Sequence, residues 1–80
     1  MSNRNEVQDW VIAALMSYAG RASLIDVAEY VWINYRSEID SSRNLLYTWQ
    51  YEVRWAASTL RKRGIIKPAS VSPKGVWELS

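Results

Sequence analysis

Between positions 43 and 63 the residues Arg43, Tyr47, Tyr51, Arg54, Trp55, Ser58, Arg61 and Lys62 recur at steps of three and four, a set of guanidinium, ammonium, phenol and hydroxyl groups without a carboxylate. Their hydrogen-bond donors suit phosphate oxygens and the edges of bases, and their aromatic rings suit flat partners. Covalent chemistry has little to work with. The chain contains no histidine and no cysteine, so it lacks thiol nucleophiles, disulfides, the usual zinc ligands and the side chain most used for proton transfer near neutral pH. The expectation is a binding face, with no catalytic residue, no metal site, no cofactor and no small-molecule substrate.

Such a face needs one long helix behind it. Leu46, Trp49, Val53, Ala56 and Leu60 form an unbroken apolar stripe that predicts a helix over about 43–63, ended by Gly64. At 100° per residue the opposite side of this helix carries Tyr47, Tyr51, Arg54, Trp55, Ser58 and Lys62, flanked by Arg43 and Arg61. Glu52, its only carboxylate, falls at the edge of the apolar stripe. Cations in a last helical turn also answer the helix dipole, so Arg61, Lys62 and Arg63 have a structural reason to be where they are.

Two shorter helices precede it. Val7, Trp10, Val11, Ala14, Leu15 and Tyr18 predict a helix over about 5–18, with Asn5 and Gln8 spaced as a capping pair and Gly20 able to take a left-handed cap. Leu24, Val27, Ala28, Val31 and Tyr35 predict another over about 24–35, opened by Ser23 with Asp26 three residues on. "GRA" between them suits a tight turn or a single short strand. "RSEIDSS", polar and without a period, reads as a loop.

After Gly64 the spacing becomes strand-like. "IIK", the turn-rich "PASVSPKG" and "VWEL" predict a β-hairpin over about 65–79 that folds back on the helices, since two strands alone are marginal in water. Three helices followed by a two-stranded wing make a mainly α, α+β chain: a winged helix-turn-helix spanning residues 1–80 as one domain, with Trp10, Trp49 and Trp77 in the core.

Charge divides sharply along the chain. Up to Ser42 there are three basic and six acidic residues, and beyond it seven and two, giving −3 and +5. A localised basic surface is the electrostatic mark of a nucleic-acid binder, and Lys67 and Lys74 extend it into the wing. "VIAALM" is far shorter than the roughly 20 apolar residues needed to cross a bilayer, and "MSNRNEVQD" is unlike a secretory signal, so the expected location is cytoplasmic, away from membranes.

"VRWAASTLRKRGIIKPASVSPKGVWELS" resembles the closing segment of the Mrr N-terminal winged-helix family, with Val53, Arg54, Trp55, Ala56, Leu60, Lys62, Gly64, Gly75, Val76 and Trp77 on matching positions. "ALMSYAGRASLIDVAEYV" resembles that family's first two helices. The resemblance implies a module that targets a nuclease to modified DNA, and it implies that Trp55 packs under the wing. These 80 residues hold only the winged-helix part of that pattern, so no cleavage activity carries over. The turn "KPASVSP" is longer than the family's compact basic turn.

The expected partner is double-stranded DNA, with the third helix in the major groove and the wing on the backbone, in a transcriptional regulator or a targeting subunit. Arg54 is the residue suited to a guanine edge; Tyr51 and Ser58 could donate to bases or phosphates, with Tyr47 beside them; Arg43, Arg61, Lys62, Lys67 and Lys74 suit phosphates. The competing reading is a protein-interaction or homodimerisation module built on Tyr47, Tyr51 and Trp55, because aromatics and arginine also anchor protein interfaces.

Overall fold

The structure, a computed structural model, describes residues 4–41 and 43–80, the side chains of Arg4, Asn5 and Arg43 excepted. The elements run α1 (Arg4–Ser17), β1 (Arg21–Ser23), α2 (Leu24–Asn34), α3 (Arg36–Ser41), α4 (Arg43–Lys62) and β2 (Val76–Glu78). The described residues are mainly helical, with one two-stranded antiparallel sheet among them.

Of the four expected caps two form as expected, one is shifted by a residue and one falls outside the described side chains. Ser23 sits in extended backbone before α2, and its Oγ accepts the Asp26 N–H at 3.1 Å. α4 closes on Gly64 at φ +79°, with the Gly64 N–H on the Arg61 carbonyl and the Ile65 N–H on the Leu60 carbonyl, the paired bonds of a left-handed helix stop. α1 closes with the same pair of bonds shifted one residue from expectation. Ala19 donates to Met16 and Gly20 to Leu15, so Ala19, at φ +60°, occupies the left-handed position assigned to Gly20. The Asn5 side chain lies outside the described residues, and Gln8, its expected capping partner, points elsewhere.

A fourth helix occupies the expected loop. α3 holds one buried residue, Ile39, and an exposed Arg36–Asp40 ion pair at 3.2 Å. Six residues with a single apolar anchor are too few to display a helical period.

The terminal hairpin is also rearranged. β2 takes β1 as its ladder partner, in the register Arg21↔Glu78, Ala22↔Trp77, Ser23↔Val76. Residues 65–67 contribute an isolated bridge, Ile66↔Leu79, with the Lys67 N–H on the Glu78 carbonyl and the Ser80 N–H on the Ile65 carbonyl. The intervening residues make two turns, closed by Val71 N–H on Pro68 and Val76 N–H on Pro73.

The core joins Val7, Trp10, Val11, Ala14 and Leu15 of α1 to Val27 and Val31 of α2, Ile39 of α3, and Leu45, Val53, Ala56, Ala57 and Leu60 of α4. Ile66 and Trp77 close it from the sheet side. Tyr18, expected inside, is exposed, and Leu45 rather than Leu46 is the buried member of α4's first turn. Trp49 is half-buried, its ring stacked on Trp32 at 5.2 Å. Among the described residues no helix is long and apolar enough to cross a membrane.

Candidate nucleic-acid interface

α4 is 20 residues long, about 30 Å of rod. α1 and α3 pack along it, and α2 adjoins it at Ile25, Ala28 and Trp32. Burial of Val53, Ala56, Ala57 and Leu60 fixes the rotation of this rod about its own axis. The same rotation turns Tyr47, Tyr51, Arg54, Trp55, Ser58 and Lys62 outward, and all six are exposed. The expected face therefore exists as one surface. Tyr47 is 79%, Tyr51 63% and Trp55 39% accessible, so Trp55 lies on the outer face and not in the core.

Two hydroxyls beside this arc are bonded back to the backbone of α4 itself. Thr48 Oγ1 donates to the Asn44 carbonyl at 2.7 Å and Thr59 Oγ1 to the Trp55 carbonyl at 3.1 Å. Ser58 is exposed and is the arc's aliphatic hydroxyl, beside the phenols of Tyr47 and Tyr51. Glu52 is half-buried, and on the α2 side the exposed Glu29 lines the groove shared with Gln50.

The remaining expected cations divide. Lys62 is exposed at the end of α4, whereas Arg61 is half-buried and its Nε is enclosed without a hydrogen-bond partner. Lys67 is half-buried in the segment that bonds β2. Lys74 is exposed beside Gly75, whose carbonyl accepts the Leu24 N–H at the start of α2, tying the second turn to the α2 N-terminus. The Arg43 side chain lies outside the described residues.

Arg63 has a different task. Its Nη1 donates to Gln8 Oε1 at 2.7 Å, fastening the end of α4 to α1.

Sequence reasoning missed the groove between α2 and α4. Ile25, Ala28, Glu29 and Trp32 form one wall, Trp49 and Gln50 the other, around about 480 Å³. A smaller recess continues it past Leu24 and Val53 to Arg54. Gln50 and Arg54, one helical turn apart, thus share a recess as exposed amide and guanidinium. Spacing places Gln50 four residues before Arg54, but an isolated glutamine on a helix is ordinarily a solvated one and carries no signal of its own. Trp32 is held between Trp49 and the Arg36 guanidinium, 4.0 Å from its ring centroid.

Beneath α1, Tyr35 stacks on Trp10 with centroids 4.7 Å apart. Burial pushes its phenol pKa up, and Tyr30, Glu38 and Asp9 add to the shift by opposing a phenolate. Among the described residues no cluster of acids could hold a metal ion. No family model, no curated protein and no solved structure matches this chain.

Proposed function

We propose that the chain is a DNA-binding winged-helix module in which α4 enters the major groove and the turns after residue 67 approach the backbone. The observation that carries this reading is the outward arc of α4, acid-free and led by Arg54 and Lys62, held by a buried opposite face. The order of elements supports it too: α2 and the short α3 precede the long helix, and β2 lies between β1 and residues 65–67. In this arrangement Arg54 makes the bidentate contact to guanine and Gln50, one turn earlier, the corresponding contact to adenine. Lys62 and Lys74 hold phosphates, positioning the domain without reading sequence. The natural roles are a cytoplasmic regulator or the targeting part of a restriction-type system.

Fluorescence anisotropy with a labelled mixed-sequence duplex tests the reading. Binding should weaken steeply with salt, each phosphate contact contributing about −0.9 to the slope of log K against log salt, and Arg54→Glu should abolish it while the circular dichroism spectrum is kept. The accessible rings of Tyr47, Tyr51 and Trp55 favour a second reading, a protein interface. That reading predicts no duplex binding at low salt and a partner whose affinity scarcely responds to ionic strength.

A further inference from the structure

Three of the six outward residues of α4 are large aromatics at four-residue steps, Tyr47, Tyr51 and Trp55, and a guanidinium contact to a base edge explains none of them. Each step climbs about 6 Å along the helix and turns about 40° around it, so the rings form one slanting band. Tyr47 and Tyr51, at 79% and 63% accessible, are far more exposed than the core-flanking Trp32 and Trp49, which are stacked on each other. Arg54 lies between the second and third rings in sequence, with Ser58 and Lys62 in the turns beyond.

A paired duplex offers little to such rings. Its grooves display base edges, while the base faces are occupied by stacking at about 3.4 Å per step. Unpaired bases expose their faces, and a strand drawn out to nearly twice that rise matches the 6 Å spacing of the band. A positively charged track interleaved with aromatics is the arrangement that holds single strands irrespective of sequence, with stacking contributing to every base and cations tracking the phosphates. The absence of a carboxylate from the arc's outward residues removes the repulsion that a polyanion would otherwise meet.

We propose that the band Tyr47–Tyr51–Trp55 is a stacking platform for unpaired bases, so that this face binds single-stranded DNA at least tenfold more tightly than a duplex of equal length at the same salt. The proposal rests on the DNA-binding reading of α4 and names the form of DNA that its aromatic residues suit.

The test is anisotropy with a labelled oligothymidylate of about 20 nucleotides, which has no paired structure, against a mixed-sequence duplex of the same length. Replacing both Tyr47→Ala and Tyr51→Ala should weaken the single-strand complex by about 30-fold or more, and at least about fivefold more than it weakens the duplex complex, where these residues could lose only hydroxyl contacts. Replacing both by Phe should restore the single-strand affinity, since the ring face is kept and the hydroxyl removed. Both tyrosines are exposed, so the fold should survive, as circular dichroism would verify. Duplex affinity equal to or above that of the single strand overturns the proposal, as does failure of the alanine pair to discriminate, or of the phenylalanine pair to rescue. Duplex binding that depends on Arg54, without single-strand binding, overturns this proposal and leaves the parent reading standing; binding to neither form overturns both.

Discussion

Arg63 Nη1 reaches Gln8 Oε1 at 2.7 Å, joining the residue that follows α4 to a glutamine 55 positions earlier that is only 7% exposed. Arg63→Ala leaves the buried amide oxygen without its donor and should cost about 1–3 kcal/mol in urea denaturation. Adding Gln8→Met, which removes the acceptor at similar volume, should recover part of that loss. DNA affinity of the folded Arg63→Ala protein should fall less than that of Lys62→Ala, because this guanidinium is directed at α1.

Ala19 holds a left-handed backbone that glycine adopts without strain. An L-residue there costs roughly 1–2 kcal/mol, and glycine's greater freedom in the unfolded chain returns about half of that. Ala19→Gly should therefore raise stability by about 0.5–1 kcal/mol, read as a higher denaturation midpoint with an unchanged m-value.

The raised phenol of Tyr35 makes stability fall in alkali. Below the usual value near 10 both folded and unfolded phenols are protonated, and the favourable burial of the neutral ring is fully present. As pH climbs past about 10 the unfolded chain releases this proton first, and stability is lost until the pH passes the higher folded value. Tyr35→Phe should flatten the decline of Tm above about pH 10 relative to the parent protein.

Arg54 and Lys62 should separate reading from gripping. Arg54→Ala is expected to reduce affinity for the preferred duplex by about 5- to 150-fold and to relax discrimination at one base pair. Lys62→Ala should weaken all sequences alike and lower the salt slope by about 0.9. Titrations of both variants at several salt concentrations check the pair.

Leu60 is fully buried where α4 meets the core, one turn before its glycine stop. Leu60→Ala should destabilise by about 2–5 kcal/mol, a large share of the total stability of a chain this size, and broaden the thermal transition.

The three long helices, the α4 face and its glycine stop follow from the sequence alone, because periodicity over three or more turns decides which side of a helix is buried, and burying Val53, Ala56 and Leu60 turns Tyr47, Arg54 and Lys62 outward in any packing. The Ser23 cap is equally local, a hydroxyl meeting an N–H three residues on. Tertiary structure decided the rest. α3 forms because Ile39 has a core to enter, a condition that six residues cannot announce. β2 pairs with Arg21–Ser23 and not with a full strand at 65–66, because strand pairing between distant segments depends on where the helices bring the edges together. The groove that unites Gln50 and Arg54 with Ile25 and the capture of Gln8 by Arg63 likewise arise from distances between elements, which no spacing along one element contains.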